Sequence, residues 1–123
     1  MPDPRHALGE RAEEATAAWL RSRGWTILAR RWRCSEGELD IVAHNPDGVL
    51  VGVEVKVRRT GRAGSPVETI DRRRLRRLRA ALGRFASASP HAARNGLRVD
   101  LVAVRADGVG RWSLTHHRGI DDW

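Results

Sequence analysis

Valine recurs at positions 49, 51, 53, 55 and 57 without a break, a period of two that predicts a β-strand with this face against a core. The alternate positions are Leu50, Gly52, Glu54, Lys56 and Arg58, so Glu54 and Lys56 are neighbours on the opposite face. In the segment before it, Leu39, Ile41 and Ala43 read as one face of a strand and Glu38, Asp40, Val42 and His44 as the other. Asn45-Pro46-Asp47-Gly48 between them is a strong turn signal, and the whole predicts an antiparallel hairpin. Directly opposed residues share a face, so loop length decides which charged groups meet. A four-residue loop at 45–48 opposes Asp40 to Val53, whereas an odd loop such as 45–49, or a bulge, opposes Asp40 to Glu54. A site built from both acids needs the second arrangement.

The rest of the chain follows from the same patterning. Asp3-Pro4 reads as a helix start, and Leu8, Ala12, Ala15 and Trp19 recur at helical spacing, predicting a first helix over 4–23 that ends before Gly24. Glu10 lies nearly opposite that stripe in a regular helix. It is then a solvated acid near a helix N-terminus, unless its face overhangs the sheet edge. Trp25 to Arg30 alternates as a first strand, followed by the basic run Arg30 to Arg33 and a short loop. The stretch from Thr60 to Glu68, with Gly61, Gly64 and Pro66, reads as a mobile loop beside the charged face. Ile70 and Leu75 staple an Asp71 cap, and Leu75, Leu78, Leu82 and Phe85 predict a second helix over 72–87. After a turn-rich connection at 88–96, Leu97, Val99, Leu101 and Ala103 alternate as a further strand. A last strand at 111–117 follows the Asp107-Gly108 turn. The order α-β-β-β-α-β-β predicts a single α/β domain over residues 1–123, a mixed sheet flanked by helices.

Composition narrows the function. At 123 residues and 41% hydrophobic content the chain suits one domain with a modest core. No apolar run is long enough for a bilayer and the N-terminus lacks the apolar segment of a signal peptide, so a cytoplasmic protein is expected and a membrane partner is not. The single cysteine, Cys34, excludes an internal disulfide and a cysteine zinc cluster. A net charge of +8 points to a polyanion, with nucleic acid favoured over membrane. The polar face of the second helix carries Arg72, Arg73, Arg74, Arg76, Arg77 and Arg79, which repel one another unless solvated or set against phosphates. Of the 23 basic residues 22 are arginine, and Lys56 is the only lysine. Lysine is a compact point charge with a movable pKa, which arginine cannot replace.

Asp40, Glu54 and Lys56 carry the candidate chemistry. Two carboxylates and the Val55 carbonyl suit Mg²⁺ or Mn²⁺, hard cations that take oxygen ligands and keep positions for water and a phosphate oxygen. The metal would activate the water, and Lys56 would orient the nucleophile or neutralise the developing charge, giving phosphodiester hydrolysis. A Glu-Lys pair on a solvated strand face explains the same residues without chemistry. Glu38 shares the Asp40 face as a supporting acid. His116-His117 points to opposite faces of a strand and reads as surface plus packing rather than a metal pair. Trp19, Trp25, Trp32, Trp112 and Trp123 read as core anchors, with Trp32, between arginines, as the one candidate for stacking on bases.

Gly9-Glu10, Gly37-Glu38-Leu39-Asp40-Ile41-Val42, Val53-Glu54-Val55-Lys56-Val57-Arg58, the helix at Arg74 and Arg98-Val99-Asp100-Leu101-Val102 together resemble the YraN family, in order and over nearly the whole chain. The resemblance implies a restriction endonuclease-like fold, similar to archaeal Holliday-junction resolvases, with a PD-(D/E)-x-K site. It places Asp40, Glu54 and Lys56 in the catalytic core and Glu10 as the helix glutamate of resolvase-like members. Three positions depart from the pattern: Leu39 stands where the motif name has proline, Arg74 where lysine is usual, and Gly52 where a bulky residue is usual. The last is expected to loosen packing beside Glu54. The function expected is a Mg²⁺- or Mn²⁺-dependent endonuclease of DNA, including branched or junction DNA. Arg58, Arg72, Arg73, Arg74 and Arg77 would carry nucleic acid, and a homodimer would suit the cutting of two strands. A nucleic-acid-binding module without turnover and a protein-binding adaptor are the alternatives.

Overall fold

In the computed structural model the described residues are 4–59, 70–107 and 109–121. The turn-rich stretch at 60–68, the Asp3 cap and Trp123 lie outside them. The elements are helix α1 (Pro4–Ser22), strands β1 (Thr26–Cys34), β2 (Gly37–His44) and β3 (Leu50–Arg59), helix α2 (Arg72–Ala88), and strands β4 (Leu97–Ala106) and β5 (Trp112–His117). The strands form one sheet in the order β1-β2-β3-β4-β5, antiparallel except for the parallel pair β3-β4, which α2 connects. The fold is the expected mixed sheet flanked by helices.

A parallel pair at the centre of a sheet needs both faces covered, and both are. On one side Ile41, Ala43, Val51, Val53, Val102 and Val104 pack with Ala12, Ala17 and Leu20 of α1. On the other, Leu39, Val42, Leu50 and Val99 pack with Leu75, Leu78, Ala81 and Leu82 of α2. Alternation alone therefore gave only half of the β3 core: Leu50 and Gly52, assigned to the charged face, are buried under α2. Gly52 loosens nothing. A Cβ there would stand 3.3 Å from Leu39 Cδ2 and 3.5 Å from Leu82 Cδ1, so these side chains already fill the space.

Both helices form where their patterns put them, but α1 is rotated about its axis. Its fully buried residues are Ala12, Thr16, Ala17 and Leu20, whereas Leu8, Ala15 and Trp19 are half-buried. At about 100° per residue, Glu10 then lies roughly 90° from the buried stripe instead of opposite it. Small residues at 12 and 17 let the helix approach the sheet closely, and the Thr16 hydroxyl satisfies itself on the Ala12 carbonyl at 2.8 Å. In α2, the Asp71 carboxylate accepts from the Arg74 N–H at 2.7 Å, as expected of the cap. The first strand is longer than predicted. It continues through the basic run to Cys34 and turns through Ser35-Glu36 into β2, with Cys34 opposite Gly37.

Candidate functional site

The β2–β3 hairpin closes with the odd loop. Ile41 faces Val53, Val42 faces Gly52, Ala43 faces Val51 and His44 faces Leu50, which puts Asp40 level with Glu54. Asn45 sets this register: its side-chain oxygen accepts from the N–H groups of Asp47 and Val49, both at 2.9 Å. Gly48 takes the left-handed conformation the loop requires, with φ 79°.

Beyond Ile41 and Val53 the two strands splay. Residues 37–39 of β2 stay paired with β1, through Trp32 to Leu39, Arg33 to Glu38 and Cys34 to Gly37. Along β3, Val51 and Val53 face β2 partners, so Val55 is the next residue whose main-chain groups turn toward β2. Its N–H goes instead to Asp40 Oδ2 at 2.8 Å. In a strand the N–H and C=O of one residue point to the same side, so the Val55 carbonyl opens into the gap that the Asp40 carboxyl enters. Leu39 turns to the α2 side with Val42, not to the Ile41 side as strict alternation assigned it. Across from Asp40, Arg31 adopts φ 50°, and past it Trp32 faces α2, against Phe85 at 5.3 Å between ring centroids. Trp32, expected as the one candidate for stacking on bases, is half-buried and packs against the core on the α2 side.

Glu54 is 4% exposed and Asp40 half-buried. Burial, then a hydrogen bond to Glu54 and the Glu54 charge, push the Asp40 carboxyl up to about 9, against the pull of the Val55 N–H. Burial and the neighbouring Glu54 charge therefore favour the neutral form of the Asp40 carboxyl. The far side of Glu54 is met by Arg74 from α2, whose Nε and Nη2 reach Oε2 at 2.8 and 2.7 Å. Lys56, one pleat further along the same face, is half-buried opposite Ala103 and has no ion-pair partner among the described residues.

The rotation of α1 brings its acids to the edge of this gap. Glu10, Glu13, Glu38 and Asp40 line a cleft of about 300 Å³ together with His6, Gly9, Arg31 and Arg33. Arg31 bridges the two helix acids, with Nε to Glu13 at 3.0 Å and Nη1 to Glu10 at 3.3 Å. The Glu10 face does overhang the sheet. Sequence alone marks neither Glu13 nor Arg31, Glu13 because the largest apolar residues of α1 do not define its buried face and Arg31 because nothing local signals a left-handed arginine. The arginines of α2 divide. Arg72 and Arg73 are exposed, Arg77 lines a smaller hollow with Gly37, Glu38, Arg74 and Leu78, and Arg79 pairs with Asp121 at 2.8 Å. Arg58 is half-buried, and its Nε has no partner among the described residues. His116 packs against Trp19 and Trp25 and bonds Asp100 at 2.8 Å, in keeping with a packing role.

Among the described residues, no three His, Cys, Asp or Glu side chains stand close enough to hold a metal by side chains alone. The donor set that fits a hard divalent cation is smaller: the Asp40 and Glu54 carboxylates and the Val55 carbonyl, all turned to one gap. Two carboxylates in hydrogen-bond contact repel unless a proton or a cation stands between them, so the pair suits that chemistry.

Fold and site together define a mixed α/β domain whose central antiparallel strands splay around a carboxylate pair, with an acidic cleft on one side and an arginine helix on the other. The chain belongs to the uncharacterised protein family UPF0102, which it matches over residues 12–104. It is 44% identical over 116 residues to a UPF0102 protein of Arthrobacter sp. strain FB24, covering 92% of this chain and 94% of that one. It is 42% identical over 108 residues to one from Chloroflexus aurantiacus, covering 88% and 87%. A third, from Beutenbergia cavernae, is 38% identical over 114 residues, covering 93% and 95%. The family match holds Asp40, Glu54, Lys56 and Arg74; Glu10 precedes it. Among the described residues no helix is long and apolar enough to cross a membrane.

Proposed function

We propose that the chain is a metal-dependent nuclease that hydrolyses phosphodiester bonds in DNA, with a site of the PD-(D/E)-x-K type on a restriction endonuclease-like domain. One observation carries the reading: Asp40 leaves the ladder, fills the splay between β2 and β3, and meets the buried Glu54 beside the Val55 main chain. Those three groups would hold Mg²⁺ or Mn²⁺. When bound, the metal supplies an activated water and charge stabilisation at the phosphate. Asp40 has to give up its proton to join the set. Lys56 would bring a cation of the β3 face to the attacking water or the phosphate oxygens. Arg74 holds Glu54 in place from the α2 side. Glu10 and Glu13, tethered by Arg31, flank the cleft through which water arrives. Exposed Arg72, Arg73 and Arg77, with half-buried Arg58, are the groups that would meet the phosphate backbone.

The test is incubation with branched, single-stranded and duplex DNA in Mg²⁺ and in Mn²⁺. Cleavage is expected in at least one combination, and its loss in Lys56→Ala with DNA affinity retained. No cleavage in any combination, or cleavage that Lys56→Ala leaves unchanged, overturns catalysis. A second reading, binding without turnover, draws on one contact: Arg74 already saturates Glu54 Oε2. It expects salt-sensitive DNA binding that survives both Asp40→Asn and Glu54→Gln.

A further inference from the structure

At the far end of α1 from the Asp40 cleft lies a second concavity, of about 150 Å³, lined by Arg23, Trp25, Asn45, Asp47, Arg98 and Arg118. Its walls come from the residues after α1, the β2–β3 loop, the start of β4 and the residue after β5. We propose that this concavity docks a phosphodiester of a nucleic-acid strand at a distance from the cleavage site. The choice of ligand rests on the nucleic-acid part of the function proposed above and not on catalysis.

Two of its arginines are held in place before any ligand arrives. Arg98 is forked onto Asp100, Nε to Oδ1 at 2.8 Å and Nη2 to Oδ2 at 2.9 Å. Asp100 is itself fully buried and bonded to His116 Nε2 at 2.8 Å and to the Gly119 N–H at 2.9 Å. With two nitrogens committed, the guanidinium cannot swing, and an incoming acceptor meets the third, Nη1. Arg23 lies 4.9 Å over the Trp19 ring, a cation–π contact that orients it while leaving its N–H groups free to donate sideways. Arg118 is exposed at the rim. Fixed donors bind an anion at smaller entropic cost than loose ones.

The charge count favours a diester. The three lining arginines and Asp47 leave two positive charges, and the buried Asp100 behind Arg98 offsets one of them, leaving one. A phosphodiester carries one negative charge, whereas a phosphate monoester carries about 1.5 to 2 at neutral pH. Arg23 lies thirteen residues beyond Glu10 in sequence, just past the end of α1, so at 1.5 Å per residue the two ends are about 20 Å apart. At about 3.4 Å per nucleotide along a strand this is about six nucleotides. A strand that reaches both places is longer than a tetranucleotide.

The experiment uses the full chain and an Arg23→Gln/Arg118→Gln double variant, without divalent cations. Fluorescence anisotropy is measured for a labelled 20-nucleotide and a 4-nucleotide single strand over 25–200 mM NaCl, conditions chosen around the usual range of phosphate-contact effects. The double variant is expected to bind the 20-mer about tenfold more weakly. The slope of log K against log salt is expected to shrink by about 1.4, two contacts at about 0.7 each, with a smaller loss for the 4-mer, which cannot span both places. Arg118→Glu, a single change at an exposed residue, is expected to reproduce the loss with an unchanged melting temperature, which separates lost docking from lost folding. Wild-type affinity and slope in the double variant overturn the proposal, as does a wild-type chain that does not bind the 20-mer at low salt. So does phosphorus NMR showing inorganic phosphate bound by the wild type and released in the variant while 20-mer binding stays the same. Weakened 20-mer binding in a chain that cleaves nothing removes the nuclease reading and supports the docking site.

Discussion

Asp40→Asn separates what the carboxylate pair does for function from what it costs the fold. In the folded chain burial and Glu54 raise the Asp40 carboxyl from 3.8 to about 9, so folding takes up a proton anywhere between these values. A group that binds its proton more tightly in the folded state makes stability fall as pH rises, from the unfolded value up to the folded one. At pH 7 the unfolded carboxyl is about three pH units past its midpoint, which at about 1.36 kcal/mol per unit puts the cost near 4 kcal/mol. Relaxation and water penetration around a real buried group bring this to the order of 2 kcal/mol. Asparagine keeps both hydrogen bonds, accepting from the Val55 N–H and donating to Glu54, and takes up no proton. Asp40→Asn is therefore expected to be more stable than wild type by about 2 kcal/mol at pH 7, or about 6–10 °C in melting temperature. The gain should shrink toward zero near pH 4 and grow toward pH 9. Urea unfolding at pH 4, 5.5, 7 and 8.5 in EDTA measures it. A variant less stable than wild type at every pH, or a difference flat with pH, would refute the reasoning. The same variant should lose cleavage, since the stored cost is what a cation relieves.

Three further outcomes follow from single contacts. Gly48→Ala puts a side chain at φ 79° with its Cβ 2.6 Å from Asn95 Nδ2, and should cost at least about 1 kcal/mol in urea unfolding while loosening the loop that sets the Asp40–Glu54 register. Asp71→Ala removes the cap that accepts the Arg74 N–H and should cost about 1 kcal/mol, with faster hydrogen exchange confined to the first turn of α2. Arg31→Gly relieves the left-handed backbone but unties Glu10 and Glu13 beside Asp40; Mn²⁺ titration calorimetry should show binding tightened severalfold, with stability within about 1 kcal/mol of wild type.

The sequence by itself determined the element order, the helix cap at Asp71, the hairpin and the identity of Asp40, Glu54 and Lys56 as residues out of place on a buried strand. These are local properties: a period of two or 3.6, a turn signal and a charge where apolar residues belong are all readable within a dozen positions. The tertiary structure decided the rest because it depends on partners far apart in the chain. Whether Asp40 meets Glu54 turned on a loop of five residues rather than four, fixed by the Asn45 side chain. Whether Glu10 serves the cleft or faces solvent turned on which side of α1 the sheet accepts, and the small residues at 12 and 17 chose a side that the largest apolar residues did not predict. Why the Asp40 carboxyl is pushed toward its neutral form could not be seen in any window of sequence, because burial and the proximity of Glu54 exist only once β2 splays from β3 and α2 packs against the sheet.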